Sequence, residues 1–76
     1  MGDDQVTVFE VRRLELWEEA RGPLSDLRDI DGQLIVTIAG LVISLPSDFK
    51  ARLKGHIGHS IAVLRTDSDY RMRILG

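Results

Sequence analysis

Apolar and polar residues alternate most clearly between residues 33 and 45, which predicts two β-strands that meet at Ala39-Gly40. A two-residue turn at this point makes a hairpin with one wholly apolar face. The opposite face carries Ile35, Thr37, Val42 and Ser44. The predicted cross-strand pairs on the apolar face are Ile38 with Leu41, Val36 with Ile43, and Leu34 with Leu45.

A second hairpin is predicted from residues 60–66 and 70–75, which flank Asp67-Ser68-Asp69. We predict a three-residue loop, because a two-residue loop would mix apolar and charged side chains on each face. This register places Arg65 directly opposite Arg71, with Arg73 further along the same face. The predicted pairs on the other face are Thr66 with Tyr70, Leu64 with Met72, and Ala62 with Ile74.

Between the hairpins, three apolar residues recur at a spacing of four, which is typical of a helix. We expect Pro46 to end the preceding strand and Ser47 to be the N-cap of the helix. Gly55 is predicted to end this helix after about two turns. The apolar stripe consists of Phe49, Leu53 and Ile57.

The N-terminal segment is less regular. Residues 1–5 are predicted to form a flexible acidic tail, and residues 6–16 a strand rich in β-branched and aromatic side chains. The alternation changes phase at Arg12-Arg13, which a β-bulge would explain. A helix from about residue 12 to 21, with Gly22 as its C-cap, is the alternative.

Residues 18–32 are predicted to form turns, because they contain three turn-forming pairs. Leu24, Leu27 and Ile30 recur every three residues, which indicates one short helical turn against the core. Trp17 either covers the end of the core or, if exposed, marks an interface. The turn-forming pairs are Gly22-Pro23, Ser25-Asp26 and Asp31-Gly32.

The resulting order is three strands, one helix and two strands, in one small domain spanning residues 6–76. This architecture resembles the OB-fold, a five-stranded Greek-key barrel. Residues 27–40 are similar to the spacing D-x-x-G-x-x-V-x-V-x-G that is common in such barrels. The resemblance implies a mainly β fold, a five-stranded antiparallel barrel with one short helix between strands three and four. It also implies a module that binds nucleic acid, oligosaccharide or protein. An SH3-like barrel is the alternative fold.

The chain departs from nucleic-acid-binding OB domains in one respect, since residues 33–45 contain no aromatic side chain for base stacking. The face assignments also predict which residues form the core. These residues are Phe9, Val11, Leu34, Val36, Ile38, Leu41, Ile43, Phe49, Leu53, Leu64, Met72 and Ile74.

Composition limits the class of protein. The 76 residues contain no cysteine, which excludes disulfides and thiolate–metal sites. The N-terminal residues are acidic rather than a basic start followed by an apolar core, so no export signal is predicted. The apolar run at 34–45 is shorter than the roughly 20 residues of a spanning helix. We therefore expect a soluble, cytoplasmic protein without a membrane partner.

Charge is distributed unevenly along the chain. Residues 1–31 hold nine acidic residues and four arginines, whereas residues 32–76 hold six basic and three acidic residues. This asymmetry indicates either ion pairs between the two halves or an anionic partner for the second half. The overall pI of 5.5 is too low for a dedicated non-specific DNA-binding protein.

The paired arginines are the strongest candidate for a binding site. Like charges facing each other across a ladder are unfavourable, so carboxylates, solvent or a bound anion must offset them. Arginine also suits bidentate phosphate contacts. The predicted site for single-stranded nucleic acid or another anion consists of Arg65, Arg71, Arg73, Tyr70, Lys50 and Lys54.

The alternative function is protein–protein interaction or self-assembly. Ile35 and Val42 on the back of the first hairpin, with Ile61 and Val63 on the arginine face, exceed what the core needs. Contiguous exposed apolar area marks an interface. An edge strand pairing with its own copy in a symmetric homodimer is one form of this alternative.

No catalytic, metal-binding or cofactor-binding motif is recognised. His56 and His59 lie three residues apart, but no cysteine accompanies them and they are predicted to be loop residues. The chain has no phosphate-binding glycine motif and no serine in a nucleophile motif. We therefore predict a non-enzymatic protein without cofactor.

Overall fold

Residues 11–76, which the computed structural model describes, form five antiparallel strands: β1 Glu19–Ile30, β2 Gln33–Ile38, β3 Leu41–Pro46, β4 Ser60–Arg65 and β5 Tyr70–Ile74. These strands form one sheet in the order β3-β2-β1-β4-β5. The mainly β fold, with one short helix between β3 and β4, is confirmed. Within the described residues no ladder joins the edge strands β3 and β5, so the sheet is not closed into the predicted barrel.

The β2–β3 hairpin has the predicted register. All three expected pairs are present, and a two-residue turn connects the strands. Ala39 and Gly40 both have positive φ, 52° and 82°, which is the geometry of the turn that matches strand twist. The face that contacts the core carries Leu34, Val36, Ile38, Ile43 and Leu45, all buried.

Strand β1 was not predicted, because it contains Gly22-Pro23 and Ser25-Asp26, two residue pairs that locally favour turns. In the structure both pairs lie inside one bent strand. Its first half pairs with β4 and its second half with β2, and a bulge at Ser25 separates Leu24 from Asp26. The extra residue brings both Leu24 and Leu27 to the core face, which produces a three-residue spacing without a helix. Of the three pairs, only Asp31-Gly32 forms a turn between strands.

Residues 11–18, here called the N-terminal strap, replace the predicted strand and its helical alternative. Arg12 makes one parallel bridge with Ile43, through backbone hydrogen bonds to Val42 and Ser44 on the free edge of β3. The strap then crosses the end of the sheet, and Trp17 donates a backbone hydrogen bond to the Arg65 carbonyl at the end of β4. The predicted strand at 6–10 lies outside the described residues.

Leu14 anchors the strap, since it is fully buried in the core. Trp17 does not cover the core, because its side chain is 62% exposed in a turn where its φ is 65°. A non-glycine residue with positive φ is held there by the surrounding hydrogen bonds rather than by its own preference. Of the two alternatives predicted for Trp17, the position in the core is therefore wrong.

The short helix consists of a 3₁₀ turn at Ser47–Phe49, the α-helical turn α1 at Lys50–Leu53, and a 3₁₀ turn at Lys54–His56. Phe49 and Leu53 are buried as predicted. Ser47 is not the N-cap, since the chain enters from extended Pro46 and no side chain caps the first turn. The helix continues past Gly55, and Ile57 lies beyond it, exposed.

The β4–β5 hairpin is shifted by one residue from the prediction. Arg65 pairs with Tyr70, and four residues, 66–69, form the loop. The buried Thr66 hydroxyl fixes this loop, because it accepts from the Asp69 N–H at 3.0 Å and donates to the Asp69 carbonyl at 2.9 Å. The alternation of apolar and polar residues, from which the register was predicted, does not reveal hydrogen bonds between a side chain and the backbone of a loop.

The shift exchanges the faces of β4. Ile61 and Val63 are fully buried rather than exposed beside the arginines, and Leu64 lies on the outer face, half-buried. Two other predicted core residues, Val11 and Ile74, are exposed. Leu41 and Met72 are partly buried against the core, and Phe9 lies outside the described residues. Buried apolar residues that were not predicted are Leu14, Ala20, Leu24, Leu45, Ile61, Ala62 and Val63.

Helices in the described part of the chain are short. None of them is long and apolar enough to cross a membrane.

Candidate functional site

A cavity of about 610 Å³ follows β5 and the end of β4. Three arginine side chains line it, two from β5 and one from the helix. Glu19 and Asp69 are the carboxylates that also line it. The cavity, here called the arginine cavity, is lined by Glu19, Arg52, Ala62, Leu64, Thr66, Ser68, Asp69, Tyr70, Arg71, Met72 and Arg73.

Arg71 and Arg73 lie on the outer face of the sheet. Arg71 is opposite Leu64, and Arg73 is opposite Ala62. Alternate residues of a strand point to the same face, so their Cα atoms are about 7 Å apart and both side chains face solvent. Two of the predicted site residues are therefore brought together as expected.

Arg65 does not join them, and the predicted Arg65–Arg71 opposition is wrong. Since Arg65 pairs with Tyr70, its side chain lies on the other face of the sheet. Its guanidinium donates a 2.7 Å hydrogen bond to the carbonyl oxygen of Leu14 in the strap. Arg65 also lines a separate cavity of about 370 Å³ with Arg13 and Tyr70. The hydrogen bond of Arg65 to Leu14 is structural, because it links the strap to β4.

Tyr70 lies where the two cavities meet, since it lines both. Its ring packs edge-on against Phe49, with centroids 6.1 Å apart, and the Arg65 guanidinium carbon lies 6.0 Å from its centroid. These contacts leave the ring half-buried. Tyr70 therefore forms a fixed wall of the arginine cavity.

Arg52 is a site residue that the sequence analysis missed. Its guanidinium carbon lies 5.4 Å from the centroid of Phe49, which itself contacts Tyr70. This arrangement directs the exposed Arg52 from the helix into the cavity that β5 forms. The available signal was the helical spacing of three residues between Phe49 and Arg52.

Neither predicted lysine lines the arginine cavity. The Lys50 ammonium lies 3.4 Å from a carboxylate oxygen of Asp29, at the end of β1. Lys54 is exposed in the last 3₁₀ turn. The helix therefore contributes one cation, Arg52, to this cavity.

Ion pairs neutralise little of the basic half of the chain. Between residues 11 and 76 there are three pairs within 4.0 Å, and two of them lie inside the acidic half. Only Lys50–Asp29 joins the halves. None of the three involves Arg52, Arg71 or Arg73, so no described carboxylate lies within 4.0 Å of these guanidinium groups.

Strand β5 is also an edge of the described sheet. Thr66 N–H bonds to the Asp69 carbonyl, and Leu75 N–H bonds to the Ser60 carbonyl, which fixes the phase of the ladder. Along an antiparallel strand, residues that bond to the neighbouring strand alternate with residues whose backbone groups point outward. The backbone groups of Met72 and Ile74 therefore point away from β4. Their N–H groups add neutral donors beside the arginines.

Glu18, in the strap, has a carboxyl group whose pKa lies below its ordinary value. The Glu15 backbone N–H donates to Glu18 at 2.8 Å, and Arg12 pairs with the same carboxylate. Those two hydrogen bonds, the backbone one first, lower the pKa of Glu18. This carboxylate stabilises the strap and does not line the arginine cavity.

The two histidines, His56 and His59, lie close together. Their rings are 6.0 Å apart and nearly perpendicular. Residues 11–76 contain no cluster of three or more His, Cys, Asp or Glu side chains suited to a metal ion.

No protein-family model, curated protein or solved structure matches this chain. The charge and geometry of the cavities are therefore the basis for assigning a function.

Proposed function

We propose that this protein binds single-stranded nucleic acid along β5, through phosphate contacts in the arginine cavity. The observation that carries the proposal is the convergence of Arg52, Arg71 and Arg73 on one cavity without an ion pair to any described residue. Arginine presents a planar fork of donors that matches the geometry of a phosphate.

The edge position of β5 supports this proposal. An extended nucleic-acid strand can follow the row formed by Arg71 and Arg73. The outward N–H groups of Met72 and Ile74 can donate to further phosphate oxygens. A duplex is a poorer ligand, because the site is one short strand edge rather than a helix or ribbon that fits a groove.

Two features limit the affinity. Glu19 and Asp69 line the same cavity and repel phosphates. Tyr70 is held against Phe49, so stacking on bases contributes little. Binding is therefore mainly electrostatic, without strong sequence preference.

Fluorescence anisotropy of labelled single-stranded DNA and RNA, titrated at several salt concentrations, tests this proposal. Three phosphate contacts predict that log K falls with log salt with a slope of about −2, since each contact contributes about −0.7. Arg71→Gln combined with Arg73→Gln should weaken binding at least tenfold and reduce the slope to about −0.7.

Lys54→Gln is the matched control, because it removes one positive charge from an exposed residue outside the cavity. It should bind like the wild type. Absence of binding at about 100 μM protein in low salt contradicts the proposal, as does equal weakening by Lys54→Gln and by Arg71→Gln alone.

A further inference from the structure

The outer face of the β1–β2–β3 part of the sheet carries an apolar surface, whose cavity shares no lining residue with the arginine cavity. Val11 and Ile30 are 46% and 49% exposed, and they line a cavity of about 380 Å³ together with the half-buried Ile35 and Val42. We call these four residues, with Thr37, the apolar outer face.

The ladder explains why these side chains are contiguous. Thr37 is opposite Val42 on β3 and opposite Asp26 on β1, while Ile35 is opposite Arg28. Neighbouring strands are about 4.8 Å apart, so the rows form a continuous surface across three strands. An antiparallel sheet with one buried face normally presents polar residues on the other face, whereas this face also carries Ile30, Ile35 and Val42.

The charges at the rim of this surface are balanced. Asp26 and Arg28, both on β1, line the cavity and pair with each other at 2.9 Å. A two-fold interface brings the same patch of both subunits together, so each patch must complement itself. A patch with one acidic and one basic residue beside apolar side chains meets this condition, since Asp26 of one copy can face Arg28 of the other.

We infer that a second copy of this chain covers the apolar outer face, forming a two-fold symmetric dimer. The apolar residues form the centre of the interface, and Asp26 and Arg28 of the two copies form ion pairs across the axis. A polyanion does not fit this face, because its charges cancel. The arginine cavity is not part of the dimer interface.

Sedimentation velocity of the full chain, from low micromolar to several hundred micromolar protein, tests the inference. The wild type should be dimeric at the upper end of this range. Val42→Lys should raise the dimer dissociation constant at least tenfold, because it places two lysines near the axis. Circular dichroism should show that the variant stays folded, since Val42 points away from the core.

Ile74→Lys is the matched control. Ile74 is also an exposed β-branched strand residue, but it lies on β5. This variant should dimerise like the wild type. A wild type that stays monomeric overturns the inference, and so does a dimer that is lost with Ile74→Lys and kept with Val42→Lys, because that dimer would form through the β5 edge.

Charge reversal tests the pairing across the axis. Asp26→Arg and Arg28→Asp should each weaken their own homodimer, because like charges then face each other. An equimolar mixture of the two variants should form a heterodimer of wild-type affinity. Failure of the mixture to associate contradicts the two-fold arrangement, and neither result depends on nucleic-acid binding.

Discussion

The two hairpins of this protein, β2–β3 and β4–β5, are held in register by different forces. In β2–β3 a two-residue turn joins strands whose core-facing residues are nearly all buried. In β4–β5 a four-residue loop joins a buried strand to an edge strand with no residue fully buried. Burial fixes the first register, and hydrogen bonds of the Thr66 side chain fix the second.

This difference has a functional consequence. A strand whose residues must fill the core has little freedom to carry charge, whereas β5 needs few apolar residues and can present arginines at an edge. The candidate site for a polyanion therefore lies on the hairpin that contributes less to the core.

The largest expected effect compares one leucine from each hairpin. Leu34→Ala should lower the free energy of unfolding by about 3–4 kcal/mol, because Leu34 is completely buried. Leu64→Ala should cost about 1 kcal/mol, since Leu64 lies half-buried on the outer face. Urea unfolding measures both. Equal losses would show that Leu64 also belongs to the core and that the β4–β5 register is wrong.

The turn of the first hairpin depends on its contact with β1. A Cβ atom at Gly22 would lie 2.7 Å from the Cβ of Ala39, and the φ of Gly22 is 140°. Gly22→Ala should therefore cost about 2–3 kcal/mol from overlap and backbone strain. Adding Ala39→Gly should recover only the part due to overlap. Full recovery in the double variant would mean that the backbone at residue 22 is not strained.

The loop of the second hairpin should depend on one hydroxyl group. Thr66→Val removes the hydrogen bonds to Asp69 and should cost about 1–2 kcal/mol. Hydrogen exchange should then accelerate in β5 but not in β2–β3. Thr66→Ser keeps the hydroxyl and is the control. Unchanged exchange in Thr66→Val would indicate that burial alone sets this register.

The smallest effect concerns the strap that supports the end of β4. Folding lowers the pKa of Glu18. The Glu18 carboxylate therefore contributes to stability above the ordinary glutamate pKa of about 4.3, and this contribution is lost as the pH falls through the lower pKa of the folded state. The stability of Glu18→Gln should therefore fall less on acidification than that of the wild type. Fluorescence of Trp17, the only tryptophan, reports the strap. Parallel pH profiles would contradict this role of Glu18.

Three of the six residues predicted for the site line the arginine cavity. Tyr70, Arg71 and Arg73 lie together because they are close in one strand, and any register keeps them so. Arg65 was assigned to the wrong face, since a shift of one residue reverses the direction of every side chain. Arg52 was missed, because its approach to β5 depends on the packing of Phe49 against Tyr70.

The sequence by itself determined the β2–β3 hairpin, the position of the short helix and the mainly β class, because alternation and turn residues are local signals with one dominant outcome. Only the tertiary structure decided β1 and the strap. Gly22, Pro23 and Ser25 favour a turn locally, but pairing with two different strands draws them into one bent strand. Local preferences are worth about 1 kcal/mol, and the burial of Leu14 and Leu24 outweighs them.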